Sequence, residues 1–192
     1  MIAIIKYNGG NVSSVQNALN RLGAESIITD DFELIKNADK VIFPGVGEAS
    51  STMKTLKEKG LDQLIPTLKQ PVLGICLGMQ LMCKNNEEGS TVGMGIFDIN
   101  VKKFPAENII PHMGWNTISD FKSTIYSEIK EESDVYFVHS FYCELSENTT
   151  SVCDYILPFS ASLQKGNFYA MQFHPEKSRK IGSQLLQNFL KL

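Results

Sequence analysis

Cysteine is scarce in this chain: four in 192 residues, with no C-x-x-C pair among them. That leaves no material for a disulfide scaffold, and Cys76, Cys83, Cys143 and Cys153 are expected as free thiols. Charge of one sign is equally thin. The formal net charge is −3 and no basic stripe is visible, which argues against general nucleic-acid binding. Long hydrophobic runs are missing too: the apolar opening Ile2 to Ile5 has no basic segment before it and is far too short for a signal peptide or a membrane span. A cytoplasmic protein with no membrane contact is the expectation. Linkers, repeats and low-complexity segments are absent as well, so residues 1–192 are expected to form a single domain. At this length a domain buries about 70% of the surface that its unfolded chain exposes.

The first half alternates short β-branched runs with helical patterns, the signature of a parallel sheet covered on both faces by helices. Strands are expected at Ile2 to Lys6, Ser26 to Thr29, Val41 to Phe43 and Val72 to Ile75. Between the first two, Tyr7-Asn8-Gly9-Gly10-Asn11 reads as a turn, and Val12, Val15, Ala18, Leu19 and Leu22 recur at helical spacing behind Asn11 as a helix cap. Further helices are expected at Phe32 to Asn37, Glu48 to Lys59 and Leu61 to Leu68. After about Asn85 glycines punctuate shorter runs, and strands are expected at Asp98 to Phe104, Val135 to Val138, Ser151 to Ile156, Ala161 to Gln164 and Phe168 to Gln172. Lys165-Gly166-Asn167 reads as a hairpin turn, and a closing helix should start near Ser178. The class is α/β with a β-rich second half.

Chemistry concentrates at Gly74-Ile75-Cys76-Leu77-Gly78, directly after the apolar run Pro71-Val72-Leu73. A thiol at such a strand-to-helix elbow projects from the sheet edge, because flanking glycines let neighbouring backbone come close without clashing Cβ atoms. Chance alone would give this Gly-x-Cys-x-Gly match only about 0.02 times at this composition. A buried structural cysteine is the competing reading. A cysteine nucleophile needs a base, and the base needs an orienting acceptor. Of three histidines, His174 in Phe173-His174-Pro175-Glu176 follows an expected strand, and Glu176 would point to the same side if the segment stays extended. Alone, that segment could equally be a surface loop. His139 has no acid within two residues and is assigned a polar structural or site-wall role, while His112 is placed in a turn or contact surface. A zinc site from Cys76, His174 and Glu176 lacks a further Cys or His at ligand spacing, and no metal is expected. An acyl-transfer site also needs two oxyanion donors. The amide of Leu77 is one candidate; Val46 and Gly47, in Pro44-Gly45-Val46-Gly47 after a parallel strand, are the others. No lysine follows this loop in the manner of a phosphate-binding loop, and Gly9-Gly10 is too weak a pattern to name a nucleotide.

Together, Gly74-Ile75-Cys76-Leu77-Gly78-Met79-Gln80, Phe173-His174-Pro175-Glu176 and Pro44-Gly45-Val46-Gly47 resemble the class I glutamine amidotransferases. Within that family, Pro111-His112-Met113-Gly114-Trp115-Asn116, Tyr136 to Tyr142 and His174 to Ser178 look like the glutaminase subunits of imidazole glycerol phosphate synthases, of the histidine pathway. The resemblance implies a flavodoxin-like amidotransferase fold with a central, mostly parallel sheet. It also implies a glutaminase with no cofactor, docked on a cyclase subunit as a heterodimer. Cys76 would attack glutamine, His174 would act as acid and base, and Glu176 would orient His174. Gly47, Gln80, Glu88, Tyr136 and Ser140 would bind glutamine, Glu88 by pairing with its α-ammonium, and Asn11, Met113 and Trp115 would face the partner. Two other readings stay open: a free-standing or differently partnered glutaminase, and a non-catalytic flavodoxin-like binding module with Cys76 in its core.

Overall fold

In a computed structural model, residues 1–7 and 11–192 are described, so the expected turn through Asn8, Gly9 and Gly10 lies outside the described residues. Among the described residues thirteen strands and six α-helices follow in chain order. The first half runs β1 (Ile2–Ile5), α1 (Val12–Arg21), β2 (Ser26–Thr29), α2 (Phe32–Lys36), β3 (Lys40–Gly45), α3 (Ala49–Glu58), α4 (Leu61–Leu64), β4 (Val72–Cys76) and α5 (Leu77–Met82). Then come β5 (Cys83–Asn86), β6 (Thr91–Val92), β7 (Phe97–Lys103), β8 (His112–Ser119), β9 (Ser133–His139), β10 (Phe141–Cys143), β11 (Thr149–Tyr155), β12 (Leu157–Lys165), β13 (Phe168–Met171) and α6 (Arg179–Lys191).

A nine-stranded sheet in the order β2-β1-β3-β4-β13-β12-β11-β8-β9 spans the molecule. Its first five strands are parallel, and from β13 onward every pairing is antiparallel. The two halves meet where β13 returns beside β4, placing the end of the chain against the elbow. Both faces of the parallel half are buried, and β1 shows how: Ala3 and Ile5 join the cluster packed under α2, α3, α4 and α5, while Ile2 and Ile4 join the one packed under α1 and α6. A second sheet, β10-β7-β5-β6, extends the first of these clusters through Cys83, Phe97, Ile99, Val101 and Cys143.

Several expectations shift. The helix expected over Leu61 to Leu68 ends at Leu64 and tightens into a 3-10 turn at Ile65–Thr67, because Pro66 has no N–H to continue the α-ladder. The segment around His112 and Trp115 is not a turn but the strand β8, paired along its length with β9. Its inward residues alternate with exposed Met113 and Trp115, and the glycine at 114 had masked that alternation. The hairpin at Gly166-Asn167 joins β12 to β13 as expected. All four cysteines are buried free thiols. Among the described residues no helix is long and apolar enough to cross a membrane.

Candidate active site

Cys76 closes β4 with φ 53° and ψ −111°, a backbone that side chains other than glycine rarely adopt. Close packing holds it there. A Cβ on Gly78 would come within 2.0 Å of the Phe43 carbonyl oxygen, and one on Gly45 within 2.6 Å of the Gly78 nitrogen, so β3 and α5 touch backbone to backbone. The register pairs Gly45 with Cys76, which carries Val46 and Gly47 toward the thiol. Gly47 has φ +115° in open space, so glycine is required there by the backbone and not by crowding. Beneath this loop the buried Tyr7 hydroxyl donates to the Pro44 carbonyl at 2.7 Å.

The imidazole arrives from the neighbouring strand. β13 runs parallel to β4 with Met171 beside Ile75, and His174 stands three residues further on. Its Nδ1 lies 2.8 Å from Glu176 Oε1, with both side chains 1% exposed. Pro175–Lys177 forms a 3-10 turn, not the extended segment expected, and it is this turn, favoured by proline at its first position, that swings Glu176 back under the ring. Asn11 precedes α1 without capping it; its Nδ2 donates to the same Glu176 Oε1 at 3.2 Å. Ser178 Oγ donates to the His174 carbonyl at 2.7 Å and accepts from the Tyr136 N–H at 2.9 Å, fixing the turn from below. His174 Nε2 has no hydrogen-bond partner among the described residues. Burial pulls its imidazolium down, but Cys76 and Glu176 outweigh that and raise it to about 10. Cys76 Sγ itself meets the Val138 carbonyl at 3.8 Å and Gln172 Nε2 at 3.7 Å.

Cys76 and His174 open into one cavity of about 310 Å³, at the small end of the range for small-molecule sites. Val46, Gly47, Leu77, Gln80, Glu88 and Ser140 line it as well. Burial raises Glu88, the Ala49 N–H donating to its Oε2 at 2.8 Å opposes that, and Glu48 nearby adds to the rise. Gln80 reaches the wall with its amide already engaged: Nε2 donates to the Phe141 carbonyl at 3.1 Å and to Gln172 Oε1 at 3.0 Å. Tyr136, expected beside the substrate, is not in the wall. Its ring stands 5.9 Å from that of Trp115, its register partner across β8 and β9, with Lys177 Nζ 5.9 Å from its centre.

The pattern of the family described as "Glutamine amidotransferase class-I" matches residues 3–192. The chain belongs to the class I glutamine amidotransferases. Among its relatives within this family, the "Imidazole glycerol phosphate synthase subunit HisH" of Bacteroides fragilis (strain YCH46) is 58% identical over 194 residues, 100% of this chain and 99% of the relative. A protein of the same description from Bacteroides thetaiotaomicron is 57% identical over 194 residues, with the same coverage. In fold, a solved glutamine amidotransferase superposes with a TM-score of 0.75 at 19% identity, covering 99% of this chain and 97% of the other.

Met113 and Trp115 of this amidotransferase are exposed on β8. Met113 is 61% and Trp115 44% exposed, which removes Trp115 from the core, and the Arg179 guanidinium lies 4.9 Å over the Trp115 ring. His112 is displaced from its expected surface position. Its ring is 4% exposed, stacked between Tyr155 at 4.0 Å and Phe137 at 4.8 Å, since an even register puts it on the inward side of β8. Its Nδ1 meets His139 Nε2 at 2.9 Å, and His139 Nδ1 donates to the Phe141 carbonyl at 2.7 Å. Reasoning from sequence missed Gln172, Ser178 and Val138. Gln172 and Ser178 flank His174 at a spacing of two and four residues, and Ser178 and Val138 lie inside the stretches that carried the resemblance, yet none was given a role there.

Proposed function

We propose that this amidotransferase is the glutaminase subunit of an imidazole glycerol phosphate synthase, hydrolysing glutamine to glutamate and ammonia and passing the ammonia to a cyclase subunit in a cytoplasmic heterodimer. The observation that carries the reading is the buried His174–Glu176 pair at 2.8 Å, with His174, its Nε2 unpartnered among the described residues, lining the same cavity as a thiol held at a strained elbow. In this mechanism the Cys76 thiolate attacks the carboxamide carbon, and the Leu77 amide with one from Val46 or Gly47 receives the oxyanion. His174 then gives its proton to the departing ammonia, leaving a thioester on Cys76. The same ring takes a proton from water, which attacks the thioester and releases glutamate. Glu176 fixes the tautomer through Nδ1. Glu88, with one carboxylate oxygen outside the Ala49 bond, receives the α-ammonium of glutamine, and Gln80, Gly47 and Ser140 shape the rest of the cavity.

The exposed Met113 and Trp115 favour a partnered subunit over a free-standing glutaminase, since an aromatic anchor on an exposed sheet face suits an interface. The test is Cys76→Ala in the reconstituted pair. Glutamine-dependent synthesis should be lost and ammonium-dependent synthesis kept; synthesis from glutamine at the wild-type rate would refute the mechanism.

A further inference from the structure

The glutaminase reading employs Cys76, His174 and Glu176 and leaves a buried polar chain beside the sulfur without a task. Gln172 is wholly buried, directly beyond β13, where the Met171–Ile75 register sets it against Cys76. Its side chain could face the sulfur with either end, and two backbone anchors decide which. The Phe141 carbonyl can only accept, so the end of Gln80 that meets it is the NH2, and the Gln172 atom that the same NH2 meets is therefore Oε1. From the other side, the Glu88 N–H can only donate; it fixes Asn86 Oδ1 at 2.8 Å, which leaves Asn86 Nδ2 to donate to Gln80 Oε1 at 3.3 Å. Both anchors give the same answer, so Gln172 presents its N–H to Cys76 Sγ, at 3.7 Å.

We propose that Gln172 is a further catalytic residue, its side-chain N–H holding the Cys76 sulfur as a thiolate aimed into the cavity, with Gln80 and Asn86 fixing the amide's orientation. This rests on Cys76 being the nucleophile. While it carries its proton, the thiol donates to the Val138 carbonyl. When its proton passes to His174 Nε2, the S–H bond breaks and an N–H bond forms. The carbonyl then faces an anion with nothing to accept, and Gln172 becomes the donor that the anion needs, as hydrogen bonds to charged groups are the stronger ones. Gln80 consequently acts through Gln172 as a positioning residue, in addition to forming the cavity wall.

The experiment is alkylation of the full chain by iodoacetamide from about pH 6 to about pH 10, with labelling of Cys76 followed by peptide mass spectrometry. Near neutral pH, Gln172→Leu should label about tenfold more slowly than wild type. At the alkaline end the two rates should converge, since the thiolate is then formed without help. Coincident profiles would overturn the proposal, and so would a rate lowered by one factor at every pH, which would mean restricted access. Gln172→Asn, which keeps the amide but withdraws it by a methylene, should shift the profile in the same direction and serves if the leucine variant does not fold. A wild-type Cys76 that stays unlabelled throughout would overturn the glutaminase reading and this proposal with it, a result unlike either of the others.

Discussion

Mild acid should destabilise this protein well before its carboxylates titrate, and the cause lies in the buried pair His112 and His139. Each link of their hydrogen-bonded chain uses one proton: His139 Nδ1 donates to Phe141, His112 Nδ1 donates to His139 Nε2, and Asn116 Nδ2 donates to His112 Nε2 at 3.2 Å. A second proton on either ring would leave a charge in an aromatic core with a donor facing a donor. Burial lowers His112 to about 4 and His139 to about 3, in the latter against the opposing bond to Phe141. Unfolded, both titrate near 6.5, so below that pH only the unfolded state gains protons, and folding weakens by about 1.4 kcal/mol per pH unit per ring. Between pH 7 and about pH 5 this amounts to roughly 2 kcal/mol each. With His112 discounted because its Nε2 reaches the half-buried Asn116, the pair contributes about 3 kcal/mol. His174 does not add to this loss: its folded value is raised, so its stabilisation is complete below its unfolded value and declines only as pH rises toward about 10. Urea unfolding at several pH values measures the slope, and His112→Phe, which keeps the stack with Tyr155, should lower it by about a third. Stability unchanged between neutral and mildly acidic solution would refute the reasoning, as would a slope that ignores the substitution.

Three further outcomes are expected. Gly78→Ala sets a methyl 2.0 Å from the Phe43 carbonyl oxygen, so β3 and α5 must separate; a loss of about 1–3 kcal/mol in urea unfolding is expected, together with glutaminase activity lowered through the displaced elbow. The isolated chain should turn glutamine over poorly and gain about a hundred- to a thousand-fold with cyclase and its nucleotide ligand, the value of one oxyanion donor, if the Val46-Gly47 peptide is completed by docking. Trp115→Ala should weaken that coupling more than it lowers the thermal midpoint, because the ring is half exposed and packs mainly on Tyr136 and Arg179.

The parallel half was readable because its strands are short and mostly apolar, and its helices keep their period. The elbow was readable for a related reason: glycines at 74 and 78 have no alternative use in a strand-to-helix turn packed this tightly. β8 was not, since Gly114 at φ +136° and the proline at 111 imitate turn punctuation within a ladder fixed by β9. The small strands β5, β6 and β10 escaped because two to four residues carry no period of their own and form only against β7. The glutamine and asparagine relay around Cys76 was invisible for a deeper reason. Polar residues announce exposure in sequence, and only the packing of β13 against β4 buries this set together.

That same pairing governs when the chain can become active. Cys76 and Gln172 are 96 residues apart, and β13 fills the place beside β4 that would otherwise be an open sheet edge. A ribosome emitting this chain from its N-terminus can fold β1 to β4 and α1 to α5 early, since those contacts are near in sequence. Such an intermediate carries the thiol yet neither the imidazole, the carboxylate nor the amide that work on it. Under the proposed mechanism the chain thus cannot start consuming glutamine on the ribosome: the chemistry waits for the closing strand, and a product truncated before it would be inert.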